Sequence, residues 1–335
     1  MKFTQTRCEI TKFQPDKTAL IVSIDAEEGG LWGNKFKRVY LQDELDYFEG
    51  LERFQKIFDK YSMVPTYFVD YAVSSDKNAS SLLRGIFKSG RCQIGAHMHA
   101  WCTPPFEEDL SETNSFFNNL PSELQLKKLQ NLTESIEATF GIRPNTFRSG
   151  RFGFSDEVAE LLKKLGYLVD SSVMPFCDLR GLSGRYLNAE SYASYWIGDL
   201  LEVPVSNGFN IKNFKFGKEL FDALTRSPYS LFHSIGILDR LGIFSKIYAT
   251  PEHETINNLK KLALNYKKLN VPVWNIYFHS SSAGVGCNPY VKNGAQLEGF
   301  LSKLNMILGW CIEEAGFAKS TYIDTRERLI REKAL

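Results

Sequence analysis

The chain of 335 residues contains no C-x-x-C pair, no basic tail or arm, and only five histidines. Each shortage excludes something. Six scattered cysteines (Cys8, Cys92, Cys102, Cys177, Cys287, Cys311) supply neither a zinc ribbon nor the dense disulfide framework of a small secreted domain, so reduced thiols are expected. With 40 Lys and Arg against 39 Asp and Glu, the near-neutral balance argues against a nucleic-acid binder that works by neutralising many phosphates. "MKFTQTRCEITKFQPDKTALIVSIDAEEGG" has no uninterrupted apolar h-region or small-residue cleavage site, and no segment reaches the ~18 apolar residues of a spanning helix. A cytoplasmic location is the expectation. What is abundant is core material: 43% of residues are hydrophobic, and no linker or repeat divides them, so one domain over residues 1–335 is expected.

Short runs rich in β-branched and aromatic residues alternate with longer segments of helical period, the pattern of parallel strands joined by crossover helices. Candidate strands are 18–25, 64–71, 92–98, 145–149, 167–172, 200–206, 273–279 and 320–325. They are enough to close a (β/α) barrel of about 7–8 parallel strands. Segments 43–62, 122–141 and 155–166 place apolar residues at i, i+3, i+4 and i+7 and read as outer helices. The last is the best delimited, with Ser155 as its cap, Asp156 and Glu157 at the positive end of its dipole, and Gly166 at its close. Residues 207–252 are too long for a plain barrel connection and rich in Phe, Tyr, Lys and Arg. They read as an insertion: a pair of amphipathic helices packed on the barrel, or a lid or membrane-surface patch.

In such a barrel the chemistry sits at the carboxyl ends of the strands. Those ends carry Asp25 and Glu27, His97 and His99, Arg148 and Arg151, Asp170, and His279. Singly, Asp25 or Asp170 reads equally as a turn or capping residue, His279 as a satisfied buried histidine, and Glu27 beside Glu28 and two glycines as a solvated loop. The pair in "GAHMHAW" is different. In an extended segment i and i+2 point to the same side, so two imidazoles can converge on one ion.

"ALIVSIDAEEG", "VPTYFV", "IGAHMHAW", "FRSGRFGFS", "DSS" and "YFHSSS" resemble, in content and order, the motifs of the polysaccharide deacetylases with the NodB homology domain (carbohydrate esterase family 4). The resemblance covers roughly 18–206 and 272–282 and leaves the insertion out. It implies a distorted (β/α) barrel and metal-dependent hydrolysis of an N-acyl group, usually acetyl, from an amino sugar. Asp25 then matches the catalytic base. Ala26 stands where the family keeps a metal-binding aspartate, and Glu27 is the nearest carboxylate that could replace it. His97 matches the first metal histidine. Trp101 occupies the place of the second, and His99 is its substitute. Arg148 matches the arginine that orients the base, with Arg151 as a rival because Gly150 replaces the family's proline. Asp170 falls on the strand of the fourth motif, and His279 matches the last.

The implied chemistry is a divalent cation, Zn²⁺ by the softness of its imidazole ligands, that acidifies water and polarises the acyl oxygen. Asp25 takes the water's proton, and His279 protonates the departing amine. A backbone N–H near 101–105 or 149–152 completes the oxyanion site, Pro104 and Pro105 being unable to donate. Trp32 and Trp101 could wall a sugar ring. The partner is an N-acylated saccharide, such as a surface-polysaccharide precursor. A deformylase on the same scaffold and a non-catalytic saccharide-binding barrel are the competing readings.

Overall fold

A computed structural model describes residues 8–9, 18–29, 36–40, 44–184, 191–226 and 234–333. Within them the apolar run Ala19–Ala26 is buried along its whole length, as a strand covered on both faces requires. The strands are β1 (Cys8–Glu9), β2 (Ala19–Ala26), β3 (Thr66–Val69), β4 (Gln93–Met98), β5 (Thr146–Ser149), β6 (Val169–Asp170), β7 (Tyr195–Ile197), β8 (Leu200–Glu202), β9 (Asn207–Phe209), β10 (Lys246–Tyr248), β11 (Val273–His279) and β12 (Ala318–Lys319). The main sheet runs β1-β7-β8-β6-β5-β4-β3-β2-β11, with β12 beside β2. From β8 through β11, and at β12, pairing is parallel; β7 and β1 add an antiparallel edge. The eight parallel strands curl into a distorted barrel. Among the described residues no ladder joins β8 to β11. Ser206 Oγ accepts from the Asn275 N–H at 2.8 Å across that gap.

Strand alternation sorts β2 into two faces. Leu20, Val22, Ile24 and Ala26 pack toward the outer helices. Ala19 and Ile21 join Phe68, Val169, Leu201, Val273 and Tyr322 in a separate inner core. Asp25 continues the inner series at the strand's carboxyl end, in register with His279 of β11, while His97 of β4 is in register with Arg148 of β5. The barrel thus gathers these four at one mouth.

The helix signals are realised closely. Ser155 Oγ accepts from the Val158 N–H at 3.2 Å at the start of helix Asp156–Lys164, and Gly166 follows at φ +86°. Helix Ser122–Phe140 ends on left-handed Gly141, φ +74°. Segment 43–62 is a 3₁₀ turn, Asp46–Gly50, followed by helix Leu51–Lys60.

Segment 320–325 is not a strand. Beyond the two residues of β12 the chain enters helix Tyr322–Lys333. Tyr322, Thr325 and Leu329 are its buried positions, a helical spacing that overrides the β-branched composition of "STYIDT". Segment 64–71 also loses its end, because Asp70 caps the short helix Tyr71–Ser75.

Residues 207–252 contain the two-stranded antiparallel sheet β9-β10 and helices Phe214–Arg226 and Ser234–Arg240; 227–233 lie outside the described residues. Phe209, Phe214 and Phe244 bury completely or nearly so, with the rings of Phe209 and Phe244 stacked 5.5 Å apart. The insertion is therefore anchored in the main core. Among the described residues, no helix is long and apolar enough to cross a membrane.

Candidate active site

Three donor atoms converge at the end of β2 and β4. Glu27 Oε2 lies 3.3 Å from His97 Nε2 and 3.3 Å from His99 Nε2, all three residues being buried. The opposite nitrogens are committed. The Nδ1–H of His97 donates to the Arg148 carbonyl at 3.2 Å, and that of His99 donates to Glu28 Oε2 at 2.9 Å. Where each ring is neutral, its Nε2 lone pair therefore faces the Glu27 carboxylate. Acceptors facing acceptors in a buried pocket need a proton or a cation between them. Two imidazoles and a carboxylate, with the other ring nitrogens held by oxygen acceptors, fit a zinc-like divalent ion.

Glu28 was not singled out from sequence. It is no solvated loop residue; it is 1% exposed. It accepts from Trp101 Nε1 at 2.7 Å as well as from His99, and its own N–H donates to Asp70 Oδ2 at 3.2 Å. Burial raises both carboxyls. The His99 charge then carries Glu28 below the usual carboxylate range, whereas Asp70, facing Glu28, stays well above it. Trp101 stacks on the His99 ring with centroids 4.2 Å apart.

Two departures from the family pattern become one here. A Cβ at Gly150 would stand 2.2 Å from His99 Cδ2, closer than real atoms approach. The imidazole brought in by the H-x-H spacing occupies the space a side chain at 150 would need, so a proline there is excluded.

Asp25 is paired with Arg148, not Arg151. Arg148 NH1 donates to Asp25 Oδ1 at 2.6 Å. The rest of the guanidinium is caged: Nε donates to the Ser171 carbonyl at 3.2 Å, and NH2 to Ser23 Oγ at 2.8 Å, Tyr322 Oη at 2.9 Å and Ser171 Oγ at 3.1 Å. Burial raises Asp25, but Arg148, His97 and His279 together bring it below the ordinary carboxylate range. Arg151 sits at the rim, held by Glu112 and Ser115, in a left-handed turn with φ +55°, followed by Phe152 at φ +56°.

His279 faces the same space, and atoms of Asp25, Glu27 and His279 all lie within 4.8 Å of one another. Its partner, Glu252, was not found from sequence. Glu252 comes from the end of the insertion, where nothing local distinguishes it from other loop acids. Its carboxylate accepts from His279 Nδ1 at 3.0 and 3.1 Å, from the His279 backbone N–H at 3.1 Å and from Ser282 Oγ at 2.7 Å. Burial lowers the imidazole's affinity for a proton, but Glu252 and Glu27 outweigh it and push His279 up to about 10.

These groups line one cavity of about 380 Å³ with Phe36, Trp101, Phe152 and Leu182 on its apolar sides. Asp170 does not line it. Its oxygens are taken by the Ser172 hydroxyl at 2.6 Å and the Ser172 N–H at 3.1 Å, and burial keeps its carboxyl above the ordinary range. It shapes the turn after β6. Trp32 lies outside the described residues.

Residues 35–169 match the family model for polysaccharide deacetylase, which takes in His97, His99 and Arg148 and leaves out Asp25, Glu27 and His279. No curated protein matches. Among solved structures, the chain is similar to a protein of Mycobacterium smegmatis assigned as a polysaccharide deacetylase: TM-score 0.59, 15% identity, 99% of this chain and 96% of that one covered. It is also similar to the 4-alpha-glucanotransferase of Thermococcus litoralis: TM-score 0.51, 12% identity, 93% of this chain but 40% of that one. At such identities these likenesses speak for the fold alone. The match to the polysaccharide deacetylase model covers less than half of the chain, and the fold is a distorted (β/α) barrel of the kind these structures share.

Proposed function

We propose that the protein is a metal-dependent N-deacylase acting on an amino sugar within a saccharide. The observation that carries this reading is the convergence, in one cavity, of Glu27, His97 and His99 between an arginine-held carboxylate and a carboxylate-held histidine. Glu27, His97 and His99 would hold a divalent ion, which when bound supplies a Lewis acid for the acyl oxygen and a more acidic water.

The chain's own groups do the rest. Asp25, kept ionised by Arg148, takes a proton from the attacking water. His279, kept protonated by Glu252, delivers one to the departing amine. A main-chain N–H of the Gly150–Phe152 turn, whose Arg151 and Phe152 line the cavity, would supply a donor for the oxyanion. Phe36, Trp101 and Phe152 line the cavity and would shield from water an acyl group seated against them.

Acetate or formate release from a panel of N-acyl saccharides tests the reaction. A protein that holds zinc and binds a saccharide yet frees no acid from any of them would be a binding module. Zinc calorimetry tests the site: His97→Ala should abolish tight binding, and Glu27→Ala should weaken it, since a ligand is lost in each. Unchanged affinity in His97→Ala would remove the site altogether.

A pH profile tests the Glu252–His279 pair. His279 must be protonated to act as the acid, and Glu252 raises the pH at which it loses that proton. In Glu252→Gln the alkaline limb of kcat should therefore move to lower pH while the acid limb stays. An unmoved alkaline limb would assign the proton donor elsewhere.

A further inference from the structure

Segment 36–40 alternates: Phe36, Arg38 and Tyr40 are half-buried, whereas Lys37 and Val39 are exposed. In extended chain a period of two puts three side chains on one side, and all three meet the loop that follows β4. The Phe36 ring lies 4.9 Å from that of Trp101, with the Arg151 guanidinium 5.3 Å from its centre. Tyr40 Oη accepts from Trp101 Nε1 at 3.0 Å. Between them, Arg38 NH1 donates to Glu108 Oε1 at 3.2 Å and NH2 to the Glu108 carbonyl, while the guanidinium stands 4.8 Å over the Phe106 ring.

Glu108 is fastened from the other side as well. Lys128 of helix Ser122–Phe140 is wholly buried, and its Nζ donates to Glu108 Oε1 at 3.1 Å, to the Ala100 carbonyl at 2.9 Å and to the Thr103 carbonyl at 2.6 Å. Three oxygens satisfy the three protons of the ammonium. The loop that carries Trp101 is thus held to the helix by Lys128 and to segment 36–40 by Arg38, with the Glu108 carboxylate between the two cations. Burying such charges is costly, and the reaction does not use them: Phe36 and Trp101 line the catalytic cavity, whereas Arg38, Glu108 and Lys128 do not. They reach the site only through the rings they hold.

We infer that Arg38 is a positioning residue: through Glu108 and Lys128 it straps segment 36–40 across the loop after β4 and so holds the Phe36 ring as a fixed wall of the catalytic cavity. A wall ordered before the substrate arrives strengthens binding, because the ordering cost is not met on association. Asp25 is held by Arg148 and His279 by Glu252, so loss of the strap weakens binding and leaves the chemical step in place. The inference rests on the deacylase reading for its substrate, but the wall can be read without turnover. Acetohydroxamate takes a divalent ion with its two oxygens and presents a methyl group where the acyl methyl would lie.

Arg38→Met keeps an apolar stem on Phe106 and leaves Glu108 paired with Lys128, so it should fold. It should raise KM for an N-acetyl saccharide and weaken acetohydroxamate binding to the zinc-loaded protein, each about tenfold, the low end of what one changed apolar contact is worth, with kcat and zinc affinity held. Phe36→Ala should weaken both in the same way. Adding Arg38→Met to Phe36→Ala should cost nothing more, since the strap then has no ring to hold. Arg38→Lys, which keeps the ion pair, should recover most of the loss. A lower melting temperature in Arg38→Met with KM and acetohydroxamate affinity unchanged would overturn the inference, as would additive losses in the double variant or a fall in kcat at constant KM. Weakened acetohydroxamate binding in a protein that frees no acid from any saccharide would keep the strap and overturn the deacylase reading; acyl release with full acetohydroxamate affinity in Arg38→Met would do the reverse.

Discussion

Asp25→Asn is expected to lower kcat by about 10²–10⁴-fold, the usual worth of a positioned base, or roughly 3–5 kcal/mol of barrier. The amide has the carboxylate's shape and can still accept from Arg148, but it cannot take up a proton. Zinc content should stay at the wild-type level, because Glu27, His97 and His99 are untouched. The substitution also leaves the Arg148 charge unmatched in a buried site, so the melting temperature falls, and turnover must be normalised to folded, zinc-loaded protein. Wild-type turnover in that fraction would show that another carboxylate is the base.

Arg148→Met should cost about 3–5 kcal/mol of stability, because it strands a buried carboxylate without its partner. Arg148 is wholly buried and Asp25 only 4% exposed, so solvent cannot compensate. The loss should be present at neutral pH and shrink as the medium becomes acidic. The sign follows from Asp25, whose carboxyl the pair holds below its ordinary value. The pair's contribution is complete above the unfolded-state range and disappears as pH falls through the folded one. Urea unfolding at a series of pH values measures this. Adding Asp25→Asn to Arg148→Met should recover part of the loss, since the stranded charge is then gone. Additive losses in the double variant would mean that the two side chains do not act as a pair.

Much of the barrel was legible because it is written in short-range signals. Helix Asp156–Lys164 announces itself through a cap, first-turn acids and a terminal glycine, and β2, β4 and β11 are apolar runs that end in ionisable groups. The H-x-H pair was legible for the same reason: period 2 in a strand fixes both rings on one side. What escaped depends on contacts far along the chain. Glu28 looks like a loop residue until Trp101 and Asp70 close over it. Glu252 is separated from His279 by 27 residues, and only the return of the insertion to the barrel makes them neighbours. Asp170 differs in the opposite sense, since it stands at a strand end as expected but its oxygens bond the adjacent Ser172. Gly150 shows a further limit: the residue is plain in the sequence, but the steric reason for it is His99, some fifty positions earlier.

The cage around Arg148 has a consequence for how the protein is made. The hydroxyls that accept from Arg148 include Ser23, 125 residues upstream, and Tyr322, 174 residues downstream. During synthesis, which proceeds at ~5–20 residues per second, Asp25 and Arg148 are both outside the ribosome for many seconds before Tyr322 is joined to the chain. Over that interval a nascent barrel holds Asp25 and Arg148 without the phenol that completes their enclosure. The Asp25–Arg148 pair is therefore among the last parts of the molecule to reach its final form, and a ribosome-bound chain stalled ahead of Tyr322 should expose to proteases the strands that the finished protein seals.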